Sequence, residues 1–407
     1  MKWYFRILIS VFLLGGSTTL PGLSQSLSKT NVSHAYDPDA PVQLHSRVAR
    51  SGGDAIVFLE LINQSGVEIP SVRYELRDSY ASETAISNQT LSSEQLIKQE
   101  ENTAYYRFNV PLQENANYVF LYLTVSVAGA SLPLRFDVPL NTDQNFPLSS
   151  LLLMRASEDI PVFSNYVNAS TAVRIVSFDD SDSVAYAYYY NHDFGPNPSP
   201  LGTSSEVQPK LTVDSLLQVS LNSTMRLEQP GLYFAQLDTT SLSGISFRVE
   251  DAYYPRLVQA EALVEPIRYI STSEEISELR EGETPKLELD KFWMRAARSQ
   301  DRAKVIIRNY YRQVAKANHF FTTYKEGWKT GMGMIYTLYG KPDDVYRDDE
   351  KEVWIYAADN TLVNTSFTFM KVKNIFTDQH YNLMRDEAFE RFWYRNIDLW
   401  RKGRKTL

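Results

Sequence analysis

Between Tyr324 and Arg347 the chain reads "YKEGWKTGMGMIYTLYGKPDDVYR", with glycines at 327, 331, 333 and 340 and a lysine directly after the last of them. Glycines beside a lysine are the raw material of a phosphate cradle, because backbone N–H groups reach a phosphate only where no Cβ intervenes. The spacing fails that reading. A Walker-type loop runs G-x-x-x-x-G-K-[ST], whereas six residues separate Gly333 from Gly340 and Lys341 is followed by Pro342. A dinucleotide fingerprint needs a further glycine where Tyr336 stands, and no strand pattern leads into it. The histidines at 34, 45, 192, 319 and 380 are scattered, without metal-ligand spacing. With no cysteine there is no thiolate nucleophile, disulfide or thiolate metal site. No Gly-x-Ser-x-Gly elbow occurs. Acidic runs at Asp179, Asp180 and Asp182 and at Asp343, Asp344, Asp348 and Asp349 carry oxygens that suit calcium, but without an EF-hand pattern they read as solvated turns. No catalytic residue, cofactor or metal is expected.

The same stretch does specify a helix–turn–strand corner. Thr330 is placed to cap a helix running from Gly331 to Tyr339, with Met334, Ile335 and Leu338 facing inward. Gly340 supplies the left-handed residue after it, Pro342 prevents continuation, and the Asp343 side chain can close the turn. Gly331 and Gly333 inside a helix each cost about 1 kcal/mol against alanine. A close backbone approach beside Trp328 would require them.

The elements that position this corner change character along the chain. From about residue 35 to 145 the pattern has period two: Val72, Tyr74 and Leu76 alternate with Arg73, Glu75 and Arg77, and Val119, Leu121 and Leu123 share one face. Residues 79–101 are polar and read as a loop or irregular edge. A second β region, with candidate strands "AVRIVSF", "VAYAYYY", "LLQVSL", "GLYFAQLD" and "ISFRVE", runs to about 262. Tandem sandwiches account for the two regions; a single large sandwich is the alternative. Then Ser271, three residues before Glu274, has capping-box spacing. One long helical stretch is expected from Leu289 to Phe321, followed after the corner by three short strands and a closing amphipathic helix with a basic tail. The fold class is therefore two all-β antiparallel sandwich domains followed by an α+β domain of long helices and a short antiparallel meander. The expected divisions are 1–24, 25–148, 149–262 and 263–407.

Lys2 and Arg6 ahead of the apolar run Ile7–Leu14 read as a secretory signal, cut before Gln25 or retained as an anchor. That run is shorter than the roughly 20 residues a membrane helix needs. No later segment is apolar enough to span, and the lack of cysteine rules out a lipoprotein anchor. A formal charge of −8 argues against nucleic acid as a partner.

Gly327-Trp328-Lys329-Thr330, Gly333, Ile335-Tyr336, Tyr339-Gly340, Pro342-Asp343 and Val353-Trp354-Ile355-Tyr356 together resemble the GWxTD domain of exported Bacteroidota-type proteins. The likeness extends through "EPIRYIST", "LDKFWMRAA" and "NYYRQVAKANHFF", covering roughly 260–385. One departure is clear: Gly331 stands where the motif has Asp. The resemblance marks Gly327, Trp328, Thr330, Gly333, Tyr336, Tyr339, Gly340, Pro342, Asp343 and Trp354 as family-motif residues and a candidate interface, and it implies no enzymatic activity. The expectation is an exported, non-enzymatic envelope protein, in the periplasm, at the outer-membrane periphery or at the cell surface. It would mediate protein–protein interaction in an envelope or secretion assembly and reach the membrane only through an envelope protein partner. The alternative is a glycan-binding or glycan-processing protein, with Trp328, Tyr336 and Trp354 stacking on sugars and acidic pairs as acid and base.

Overall fold

Alternation of apolar and polar residues builds the first half of the molecule as sheets. The structure, a computed structural model, describes residues 27–66, 69, 72–113, 117–127, 130–140, 147–179, 183–201, 211–282, 284–297, 299–357 and 364–405. The signal read at 1–24 lies outside the described residues, as do Asp180 and Asp182.

The first sandwich comprises β1 (Val42–Ser51), β2 (Asp54–Asn63), β3 (Val72–Arg77), β4 (Ser87–Thr90), β5 (Leu96–Gln99), β6 (Thr103–Pro111), β7 (Tyr118–Val127) and β8 (Ala130–Pro139). Its two sheets have the orders β1-β2-β6-β5 and β4-β3-β7-β8. Gly52, at φ +56°, supplies the left-handed residue in the tight connection that pairs Ser51 with Asp54. Val57, Leu59, Leu76, Val119 and Leu121 fill the space between the sheets. The polar stretch 79–101 contributes the short edge strands β4 and β5. On the outer face Arg77 is buried against Glu75, with Nη2 to Oε2 at 2.6 Å.

The second sandwich comprises β9 (Leu151–Arg155), β10 (Tyr166–Asn168), β11 (Ala172–Ser177), β12 (Val184–Tyr190), β13 (Ser215–Ser220), β14 (Met225–Arg226), β15 (Gly231–Gln236) and β16 (Ile245–Glu250). Its sheets are ordered β10-β16-β15-β12-β13 and β14-β11-β9 around Ile175, Ala185, Ala235 and Val249. The short β10–β16 pair is parallel, whereas the other described pairs in this sandwich are antiparallel. The sandwiches share an apolar seam in which Ile56 and Phe58 meet Leu152 and Met154.

The C-terminal part holds α1 (Ala260–Val264), α2 (Ser273–Glu281), α3 (Pro285–Ala297), α4 (Gln300–Phe321), α5 (Gly331–Tyr339), β17 (Asp344–Arg347), β18 (Lys351–Tyr356), β19 (Thr365–Lys371), β20 (Tyr381–Leu383) and α6 (Glu390–Arg401). Three expectations are corrected here. The capping box belongs to Thr272 and Glu275, one residue later than read, because Thr272 is the residue with extended backbone ahead of the first turn. The stretch from Leu289 to Phe321 is two helices, since Ser299 leaves the helical conformation and its Oγ accepts the Arg302 N–H at 3.3 Å. The meander has four strands, β17-β18-β19-β20, rather than three. Helix α4 lays Ala303, Ile306, Tyr310, Val314, Ala317 and Phe321 along one buried stripe, and Tyr310 packs between Trp293 and Trp400. No described helix is long and apolar enough to cross a membrane.

Candidate functional site at the motif turn and the domain junction

The corner at 324–347 forms as its residues dictate. Thr330 caps α5, its Oγ1 accepting from Gly333 N–H at 2.9 Å and donating to Gly327 O at 2.8 Å. Gly340 follows at φ +83°, and the Tyr356 hydroxyl donates to its carbonyl. The glycines are required by close packing. A Cβ on Gly327 would lie 2.1 Å from Ala317 O of α4, and one on Gly333 would lie 1.8 Å from Gly327 O. A Cβ on Gly331 would meet Asn197 Nδ2 at 2.5 Å, so a side chain from the second sandwich takes the space where the motif's Asp would begin. Asn197 also donates its N–H to Lys329 O and accepts from Arg385. Trp328 packs edge-on to Tyr269 and gives its backbone N–H to Asn318 Oδ1 at 3.0 Å.

Of the ten motif residues, eight are buried, Tyr339 is partly buried and Asp343 alone is exposed. Asp343 Oδ2 accepts from Ala357 N–H at 2.7 Å, so its side chain ties the start of β17 to the end of β18 rather than closing its own turn as expected. Trp328, Tyr336 and Trp354 are 3%, 1% and 0% exposed. The sugar-stacking role considered for those three rings is therefore corrected: they are core side chains, enclosed by Phe321, Tyr36 and Phe369 around Trp354 and by Tyr269 over Trp328.

Two charge networks tie the corner to both sandwiches. On one side, Lys329 Nζ reaches Asp193 Oδ1 at 2.6 Å and Glu326 Oε1 at 2.9 Å. Arg248 on β16 binds Glu250 and donates to Tyr324 O. Burial pushes the Glu250 carboxyl up to about 7, with Arg248 opposing and Glu326 adding to the rise. For Glu326 burial acts upward too, but Arg248 and Lys329 outweigh it and hold the group below its ordinary value. On the other side, Arg347 on β17 bridges Asp137 of β8 at 2.5 Å and the fully buried Glu352 at 2.6 Å, and also donates to the Tyr36 hydroxyl. The segment before β1 laces across the same face: Val32 N–H bonds Val345 O, Asn31 Nδ2 bonds Asp344, and Tyr336 donates to Tyr36 O.

Where these pieces meet, a cavity of about 800 Å³ opens. Four of the five histidines, at 34, 45, 319 and 380, line it. Their separation along the chain hid this, because they arrive on a 3-10 turn, on β1, on α4 and beside β20. His45 Nδ1 pairs with Glu60 Oε2 at 2.9 Å, and its ring stands 6.2 Å from that of His319. Burial, assisted by His45, holds His319 below the usual histidine value, and burial does the same to His34. Among the described residues no group of three or more acidic or histidine side chains is arranged to hold a metal.

Residues 231–402 match the family described as the GWxTD domain. The chain carries a GWxTD domain. No curated protein matches it. The matched range begins at Gly231, so it takes in β15 and β16. The contacts make physical sense of that start. Arg248 and Glu250 of β16, and Tyr254 after it, pack into the motif turn, where Tyr254 meets Thr322 and Gly327.

Outside the GWxTD core, several strands end their sheets, and β13 is an exposed edge among them that carries large apolar side chains. Strand β13 ends its sheet, and among the described residues no strand pairs with its far side. Its sequence, SLLQVS, has no charge and no proline, and five of its six residues are exposed, including Leu216 and Leu217. Leu221 N–H bonds Ser183 O on the β12 side. By the alternation of an antiparallel ladder, Leu217 and Val219 turn their backbone groups toward β12. Leu216, Gln218 and Ser220 turn theirs outward.

Proposed function

We propose that this is a non-enzymatic, exported cell-envelope protein that works by protein–protein interaction. In this reading the GWxTD domain clamps two sandwiches into one frame, and β13 offers an edge on which an extended segment of an envelope partner adds as a sixth strand. The observation that carries it is the uncharged and exposed β13, whose far side no strand pairs among the described residues. Free N–H and C=O groups give affinity to an added strand, and alternating side chains give it specificity. Edges of this kind are normally blunted by charge, proline or a bulge, and SLLQVS has neither charge nor proline. Export is supported by Lys2, Arg6 and the apolar run Ile7–Leu14.

The test uses the full chain in its native cells. A photo-crosslinking residue at Leu216 or Ser220 should trap one envelope protein, whereas the same residue at Arg395 on α6 should not. Gln218→Pro removes an outward N–H without touching the β12 ladder, so it should abolish trapping while shifting stability by less than about 1 kcal/mol. Undiminished trapping by the proline variant would overturn edge pairing. Trapping of a second copy of this chain would replace the hetero-partner by self-assembly.

A further inference from the structure

Of the arginines that line the junction cavity, Arg155 and Arg347 pair with carboxylates, whereas Arg47 and Arg135 bond neutral acceptors among the described residues. Deeply buried guanidiniums elsewhere in the molecule also face a carboxylate: Arg77 meets Glu75 and Arg248 meets Glu250. Arg47, partly buried on the outer face of β1, does not. Its Nε donates to Val162 O at 3.1 Å, Nη1 to Ser46 O at 3.1 Å and Nη2 to Asn165 Oδ1 at 2.8 Å, all neutral acceptors. Among the described residues no carboxylate stands within ion-pair distance of it. These three bonds fix the guanidinium against the cavity wall. Asp378 and Glu60 act on it only from beyond ion-pair distance, so an anionic ligand would supply the close counter-charge it lacks. The surroundings fit such a ligand. His45 stands two residues before Arg47 on the same face of β1, and His319 faces His45 from α4. Glu60 is already engaged by His45 and Arg155. Phe163 and Phe320 supply apolar wall. The volume, about 800 Å³, is that of a small-molecule site, and domain interfaces are where such sites concentrate.

We propose that the junction cavity binds a small organic anion, its carboxylate or phosphate group held by Arg47 beside His45 and His319 and its apolar body lying against Phe163 and Phe320. Because the walls come from both sandwiches and from the GWxTD domain, the ligand fastens all three. Burial pulls the Arg47 pKa down to about 10, with Asp378 and Glu60 opposing, which leaves the side chain cationic at neutral pH and receptive to an anion.

The experiment titrates the full chain with phenyl phosphate and, separately, with benzoate, at constant ionic strength against chloride, by calorimetry. Saturable binding to at least one probe is expected, and the tighter of the two names the anionic group. Arg47→Gln should weaken that binding at least tenfold, Arg47→Lys should restore part of it, and Arg174→Gln, on a guanidinium already paired with Asp159, should leave it unchanged. Amide exchange of the wild-type chain provides a readout that needs no variant: residues 43–47, 163–166 and 319–323 should gain protection together when the probe is added. Absence of saturable binding, binding insensitive to Arg47→Gln, or protection elsewhere would overturn the proposal.

Discussion

At the scale of single residues, the glycines of the motif act by what they exclude. Gly327 lets the turn lie against the α4 backbone, and Gly333 lets α5 lie against the carbonyl of Gly327. The obstacle in both cases is main chain, which cannot step aside. At Gly331 the obstacle is the end of the Asn197 side chain, with Leu383 Cβ at 3.2 Å. Overpacking a tight core costs about 1–3 kcal/mol and sometimes more. Gly327→Ala and Gly333→Ala should therefore each lose about 3 kcal/mol in urea unfolding or fail to fold. Gly331→Ala should change stability by less than about 1 kcal/mol, since it also gains helix propensity. Equal losses at all three positions would refute this ranking. The requirement for glycine was legible in the sequence as an unexplained cost inside a helix; the identity of each neighbour was not.

At the scale of elements, α5 is specified almost entirely by local chemistry. Its cap, its inward residues Met334, Ile335 and Leu338, and its left-handed stop at Gly340 are all adjacent in the chain. Removing the cap is therefore a clean test. Thr330→Val deletes the acceptor for Gly333 N–H and the donor to Gly327 O, both in the buried turn. A loss of about 2 kcal/mol is expected from denaturant unfolding, the upper part of the range for N-caps. Little or no change would mean that packing alone holds the turn. Helices α3 and α4 were harder to separate from sequence. Ser299 is an adequate cap, but it sits within a continuous helical pattern, and the bend becomes necessary only when Trp293 and Tyr310 must meet. The strand of the corner, β17, was not counted with the meander, because four residues, half of them charged, carry too little periodicity to show what they pair with.

At the scale of the whole molecule, the junction titrates in two opposing senses. His34 and His319 have folded values below their ordinary 6.5. As pH falls through 6.5 the unfolded chain takes the proton first, so stability is lost on acidification. Glu250 behaves oppositely. Its folded value of about 7 lies above the ordinary 4.5, so the folded chain takes the proton first and stability is gained as pH falls from 7 toward 4.5. Unfolding curves between pH 7 and 5 should separate the two. His319→Gln should flatten the acid loss, and Glu250→Gln should steepen it by about 1.4 kcal/mol per pH unit at most, the linkage limit for one proton. Shifts of the same sign in both variants would show that these groups do not govern the junction.

The address-like N-terminus, the alternating strands, the amphipathic helices and the capped corner were all present in the sequence, because each rests on residues within a few positions of one another. The two-sandwich order and the α+β end followed from the same local periods. Tertiary structure alone decided that the motif faces inward, that Asn197 stands against Gly331, and that four dispersed histidines and Arg47 share one cavity. Those contacts join residues up to hundreds of positions apart, as Tyr36 to Tyr336 does across 300. Such a pairing leaves no period in either segment, since what selects it is the fit of one folded surface against another.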